Sequence, residues 1–296
     1  MITANNLTKH YEEFTVLDDV SFTFPSSGIF GIVGHNGAGK TTLLKIIAGL
    51  VTPTSGDLSV NGIDVLKSPL TLKETLGYLP EESRLYETMT AEDYLAFFGE
   101  IYGIGKEDIA VRTRKLFSAL SLQTDGKKIG EFSKGMKRKT AIARSLIHNP
   151  DFLVYDEPTS GLDPMTSRFI ADYLLNLKKE GRTIVLSAHN LYQIEAICDR
   201  ILILRRGKVV ALGSIDELRQ KFGSLTYTIW FSHPNPSSID SKVLPYRKGE
   251  HGIFCEASDM AGLNACSSVI GSIGGRVDRI ESRYPSLEEM LVAIGE

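Results

Sequence analysis

Cysteine is scarce. Cys198, Cys255 and Cys266 are three in 296 residues, odd in number and without a C-x-x-C spacing. That pattern argues against a disulfide framework or a zinc site, and it fits a reducing compartment with the cytosol as default. Long apolar runs are missing as well, since nothing approaches the roughly 18 to 20 apolar residues that span a bilayer. Met1 to Glu13 carries charged and polar side chains where a secretory leader needs an apolar stretch. If this chain works at a membrane, another chain must supply the spanning helices. Charge of one sign is also lacking: the net charge is −3 with signs interspersed, so there is no basic stripe of the kind that marks nucleic acid as a partner. The densest basic cluster, Lys134, Lys137, Arg138 and Lys139, reads equally as a solvated helix face or a partner-contacting patch. No internal repeat is present, and no N-K-x-D that guanine recognition requires.

What is there begins with Gly34-His35-Asn36-Gly37-Ala38-Gly39-Lys40-Thr41-Thr42, a G-x-x-x-x-G-K-T loop. It follows the apolar, strand-like Ile29 to Val33 and opens the helix-like Thr42 to Leu50. Strand, loop and helix together aim backbone N–H groups at an anion from a helix N-terminus, which a bare glycine-rich turn would not do. Asn36, Gly37 and Gly39 then belong to the cradle, and Lys40 reaches the β- and γ-phosphates as a point charge. The Thr41 hydroxyl ligates Mg²⁺, and Thr42 supports the loop from the first helical turn.

With 42% hydrophobic residues, a chain of this length can bury one large core and a second smaller one. Short strands come first, at Val20 to Phe24, Ile29 to Val33 and Asp57 to Val60, with Asn61-Gly62 as a hairpin signal. From Thr90 the spacing turns helical: Thr90 is an N-cap before Tyr94, Phe97, Phe98 and Ile101, and Gly103 with Gly105 ends that helix. A second helix covers about Lys106 to Leu122. After Pro150, the apolar strands Phe152 to Tyr155 and Thr183 to Ser187 flank a helix from Met165 to Glu180, as a parallel sheet covered on both faces requires. Ile201 to Leu204 and Val209 to Leu212 suggest a closing edge hairpin, and Ser214 with Glu217 forms a capping box. From Leu225 a small α+β appendage is expected. Its strands are Thr226 to Phe231 and Arg276 to Ser282, its helices Met260 to Ile270 and Ser286 to Ile294, with a hairpin around Lys248-Gly249-Glu250.

Phe152 to Tyr155 ends in Asp156-Glu157, where an α/β sheet presents its ligand edge. Alone, two carboxylates there could be a helix cap or a solvated turn. Beside a phosphate loop, Asp156 would hold Mg²⁺ through water and Glu157 would act as general base.

At this point the chain resembles the ATP-binding cassette family, because the order of motifs matches over about 200 residues. Phe132-Ser133-Lys134-Gly135-Met136 stands where that family has its signature, Ser160-Gly161-Leu162-Asp163 matches the D-loop, and His189 matches the switch histidine. Tyr11 matches the aromatic that stacks on adenine. Singly, Tyr11 is equally a packed surface aromatic and His189 a structural histidine; in order and at this spacing they are specific. Two departures stand out: Lys134 and Met136 stand where the signature usually has a further glycine and a glutamine, and Glu81 takes the place of the Q-loop glutamine. A carboxylate there can hold Mg²⁺ or order water, but it adds negative charge near phosphate.

The resemblance implies a P-loop α/β core with an antiparallel β subdomain and a helical subdomain at about 85–145, within a nucleotide-binding domain at 1–222, followed by an accessory domain at 223–296. It implies ATP and Mg²⁺ as ligands, with Glu157 and His189 catalytic and Thr41, Glu81 and Asp156 at the metal. Ser133, Gly135 and Asp163 would contact nucleotide held by a second subunit, so turnover needs a dimer, and a homodimer is expected. The runs Gly77 to Glu82 and Leu85 to Thr90 look like those of export-type ATPase subunits. The expected setting is the cytoplasmic face of a membrane, with a permease on a separate chain. The alternative is a soluble cassette ATPase with a cytosolic role outside transport. The appendage could be regulatory, a dimer brace or plain packing; with no cluster of convergent polar residues, a brace or packing is favoured.

Overall fold

The computed structural model describes residues 1–223, 225–241, 243–249 and 252–295. Strands Gly28–Val33, Phe152–Tyr155 and Thr183–Ser187 are buried along their whole length, the burial that a sheet covered on both faces demands. Among the described residues they form the middle of a six-stranded sheet, in the order Lys208–Gly213, Arg200–Arg205, Gly28–Val33, Thr183–Ser187, Phe152–Tyr155, Leu76–Leu79. Pairing is parallel from Arg200–Arg205 to Leu76–Leu79. The last strand, Lys208–Gly213, returns antiparallel on Arg200–Arg205, which is the edge hairpin the sequence predicts.

A second sheet of four strands among the described residues runs Phe14–Phe24, Ile2–Tyr11, Ser55–Val60, Ile63–Asp64, all antiparallel. Asn61 (φ 49°) and Gly62 (φ 82°) turn its last hairpin, and two positive φ angles are what a type I′ turn needs. The helix Lys40–Ile47 packs against both sheets. Its Leu43, Leu44, Ile46 and Ile47 join Leu7, Val20 and Phe24 of one sheet and Phe30, Val154 and Val185 of the other in a single core. Phe24 and Phe30 stack with ring centres 4.6 Å apart. The helical subdomain is built from Ala91–Ile101, Lys106–Ala119 and Lys134–Leu146, which pack on one another. The Thr90 hydroxyl accepts from Asp93 N–H at 3.1 Å, capping the first of them as expected.

The chain divides into two compact units, 1–214 and 215–296. The sequence puts the boundary at 222/223; the structure moves it because helix Ile215–Phe222 packs on the helix Leu287–Gly295. The second unit holds an antiparallel sheet ordered Arg247–Gly249, Gly252–Ala257, Thr226–Ser232, Arg276–Arg283. Ile229, Phe231, Ile253 and Cys255 on that sheet and Leu263 and Ile270 on the helix Met260–Ser272 form its core. The expected turn residue Glu250 lies outside the described residues; the strands flanking it pair antiparallel, Gly249 opposite Gly252.

Candidate functional site

The strand Gly28–Val33 delivers the chain into the loop, and two glycines fix the path there. A Cβ on Gly34 would sit 2.1 Å from the Leu204 carbonyl oxygen, and one on Gly39 (φ 103°) would sit 2.8 Å from that of Val16. Neither position accepts another residue without rebuilding its neighbours. Gly39 is also the N-cap of Lys40–Ile47, so the loop runs straight into a helix N-terminus.

Asn36, Gly37, Gly39, Lys40, Thr41 and Thr42 line a cleft of about 490 Å³ together with Glu81, Glu157 and His189. The sequence therefore brings nine of its candidates to one place. Lys40 is nearly buried, and its ammonium donates to the carbonyls of Gly34 (2.7 Å) and His35 (3.2 Å). Burial pulls its pKa down, while the carboxylates of Glu157, Asp156 and Glu81 push it back up.

Asp156 and Glu157 leave the buried strand Phe152–Tyr155 and are themselves 2% and 4% exposed. One hydroxyl organises both: Ser187 Oγ donates to Asp156 Oδ1 at 2.5 Å and accepts from Glu157 N–H at 3.1 Å. Glu157 has φ 50°, a left-handed conformation uncommon outside glycine. Its Oε2 accepts from the His189 backbone N–H at 2.9 Å. Its Oε1 is buried without a hydrogen-bond partner among the described residues, 3.4 Å from His189 Nε2. Burial holds the Glu157 carboxyl above its ordinary pKa, against the opposing pull of His189 and Lys40.

Ser133, Gly135, Asp163 and Tyr11 stand apart from this cleft. Ser133 caps the helix Lys134–Leu146 by accepting from Met136 N–H at 3.2 Å. Asp163 caps Pro164–Lys179 by accepting from Thr166 N–H at 2.9 Å, and the Thr166 side chain, followed by that N–H, holds its carboxyl below the ordinary pKa. Tyr11 lies under the Lys9 ammonium, 4.8 Å from its ring centre. It faces Phe14 across the hairpin turn, and it is Phe14, 68% exposed, that lines the cleft. Sequence reading missed Phe14, although the pairing of two aromatics directly flanking the two-residue turn Glu12-Glu13 was there to find. It also missed Ser187, which only the parallel pairing of Phe152–Tyr155 with Thr183–Ser187 brings to the carboxylates.

The basic cluster is divided by the fold. Lys137 pairs with Glu87 at 2.7 Å and the Lys139 ammonium lies 4.2 Å from the Phe169 ring centre. Arg138 turns inward and is 7% exposed.

These residues fit a nucleotide phosphate. A Cβ on Gly37 would meet nothing within 4 Å among the described residues, so the loop borders open space, with Lys40 beside it. Among the described residues no three His, Cys, Asp or Glu side chains form a metal cage. Thr41 and Glu81, which line the cleft, offer oxygen donors of the kind Mg²⁺ takes alongside phosphates and water.

Residues 17–160 match the ABC transporter family. The chain is 43% identical to an uncharacterised ABC transporter ATP-binding protein of Methanocaldococcus jannaschii, over 83% of this chain and 88% of the relative. It is 37% identical to the ABC transporter ATP-binding protein NatA of Bacillus subtilis, over 74% of this chain and 91% of that one. Among solved structures, a dimeric, post-hydrolysis ATP-binding cassette bound to ADP and Pi superposes with a TM-score of 0.68 at 25% identity, covering 73% of this chain and 99% of the other.

Proposed function

This chain belongs to the ABC transporter family as an ATP-binding subunit and ATPase, and from that premise we propose that it drives an exporter through ATP-dependent head-to-tail dimerisation. The observation that carries the hydrolytic half is Glu157 Oε1, a buried carboxylate oxygen without a hydrogen-bond partner among the described residues, on a side chain that lines the same cleft as Lys40.

The loop N–H groups and Lys40 hold the β- and γ-phosphates, the lysine exchanging its two loop carbonyls for phosphate oxygens. Thr41, Asp156 and Glu81 would hold Mg²⁺, which when bound neutralises charge on the β- and γ-phosphates. The His189 N–H fixes one oxygen of Glu157, leaving the other to accept a proton from the attacking water. As that proton moves to Oε1, the water oxygen bonds to the γ-phosphorus and the bond to the β,γ-bridging oxygen breaks, giving ADP and phosphate. A pKa raised by burial makes Glu157 a stronger base than a surface carboxylate.

Dimerisation is supported by the position of Ser133, Gly135 and Asp163 outside their own chain's cleft, and by the dimeric assembly of the solved cassette. ATP that binds between two copies favours the closed pair by its differential affinity. No described helix is long and apolar enough to cross a membrane. The proposal therefore places the permease on another chain and this one at the cytoplasmic face, with the segment Glu81 to Thr90 as the contact. The export direction rests on the resemblance of Gly77 to Glu82 and Leu85 to Thr90 to export-type subunits.

The test is Glu157→Gln, purified from native membranes in detergent with ATP. ATP-dependent dimers and a co-purifying multi-spanning protein support the reading. Recovery of ribosomes, of nucleic acid or of a dimer without membrane protein overturns it in favour of a cytosolic role.

A further inference from the structure

Arg138 sits in the second turn of Lys134–Leu146, and its guanidinium joins three segments. Nη2 donates to the Glu157 carbonyl oxygen at 2.7 Å, while Nη1 donates to the Pro80 carbonyl oxygen at 2.9 Å and reaches Ser83 Oγ at 3.5 Å. Burial disfavours its charge and lowers its pKa, against the opposing pull of the carboxylates of Glu81, Asp156 and Glu157. The bond to Glu157 falls on a strained residue. At φ 50° a glutamate stays in place only if its surroundings hold it. Ser187 holds its N–H and Arg138 holds its carbonyl. Loosening the carbonyl lets the backbone relax toward ordinary φ, and that rotation carries Cβ and the carboxylate away from the cleft. The helix that supplies this clamp begins at the Ser133 cap. Five residues of helix, about 7.5 Å of rise, thus separate the group assigned to a second subunit's nucleotide from the clamp on this chain's own base.

We propose that Arg138 is a positioning residue: it fixes the backbone of Glu157 and of the Pro80 segment to the signature helix, so that the base is aligned only while that helix is seated. The proposal rests on the reading of Glu157 as base and Ser133 as a cross-subunit contact. A lysine cannot substitute, because a point ammonium lacks the planar fork that spans two carbonyls on different segments.

The experiment uses the full chain with Arg138→Lys and Arg138→Met, and Glu157→Gln on the Arg138-intact background. Three quantities are read: melting temperature, affinity for a fluorescent ATP analogue, and steady-state ATPase kcat. Arg138→Lys is expected to melt near the parent, to bind the analogue within about twofold, and to lose about tenfold to a hundredfold in kcat, the scale of mispositioning a reacting group. Arg138→Met is expected to lose at least as much. A kcat within twofold of the parent for Arg138→Lys overturns the proposal. So does a loss of kcat matched by an equal loss of affinity or by unfolding of Arg138→Lys, since the arginine would then be structural alone. Parental turnover in Glu157→Gln would instead overturn the base assignment, independently of either arginine variant.

Discussion

Replacing Ser187 by alanine removes one oxygen atom and leaves two groups stranded. The hydroxyl is fully buried, donates to the Asp156 carboxylate at 2.5 Å and accepts from Glu157 N–H at 3.1 Å. A hydrogen bond to a charged partner contributes about 1.5–3 kcal/mol, and a buried N–H left unpaired costs about 1–3 kcal/mol. These overlap, because the alanine no longer desolvates a hydroxyl of its own, so about 3 kcal/mol is expected in all. For a unit of this size each kcal/mol moves the melting temperature by about 2–4 °C, which gives a fall of about 6–12 °C. Differential scanning calorimetry of the full chain reads it, provided the transition of the first unit is followed separately from that of the second. The ATPase kcat should fall in the same variant, since Glu157 loses one of the bonds that hold its strained backbone. A melting shift under about 2 °C with parental kcat would refute the reasoning, for it would mean that Asp156 and Glu157 are held by their strand alone.

Three further outcomes follow from the same geometry. The Glu157 carboxyl has its folded pKa raised above the unfolded value, so the folded protein takes up the proton first as pH falls, and stability drops as pH rises through that window. Glu157→Gln should therefore melt higher than the parent at neutral pH, with the gain shrinking toward pH of about 4.5, while the parent's ATPase loses activity on an acid limb above the ordinary carboxylate range; a gain unchanged by pH would count against the burial of that charge. Gly34→Ala drives a methyl into the Leu204 carbonyl and should cost about 3 kcal/mol or more with loss of ATP binding, read by urea unfolding and nucleotide titration; parental stability would show that the loop has room to move. Removing both aromatics at the hairpin mouth, Tyr11→Ala with Phe14→Ala, should weaken ATP by about three- to tenfold, the scale of a ring-stacking contact, with kcat little changed. GTP should weaken alike, because stacking does not read base edges; a selective loss of ATP would point to a hydrogen-bonded purine instead.

Much of the site was legible because its parts are local. The loop, its strand and its helix are contiguous in the chain, and Asp156-Glu157 ends a short apolar run after Pro150 whose length favours a buried strand. The Asn61-Gly62 turn was equally plain. What escaped was set by pairing at a distance. Ile2–Tyr11 did not read as a strand, since its register with Phe14–Phe24 shifts between Ala4 and Leu7. There Asn6 and Asp19 both adopt φ near 50° and join side chains at 2.6 Å, a defect that breaks the alternation a strand should show. Arg138 looked like its lysine neighbours because a charged side chain is expected on the solvent face, although it stands three and four residues before the buried Ala141 and Ile142. The helix Ile215–Phe222 looked like the end of the first domain because its partners, Leu287–Gly295, arrive some seventy residues later.

The bonds from Lys40 to Gly34 and His35 make the loop its own placeholder ligand. Nucleotide entry is then an exchange of acceptors, and affinity is the difference between what the phosphates offer the ammonium and what two carbonyls already give it. An orthophosphate ion, meeting only part of the cradle, gains little from that trade. A triphosphate that reached the whole row of loop amides as well as the lysine would gain more, so affinity is expected to rise with the chain length of the anion.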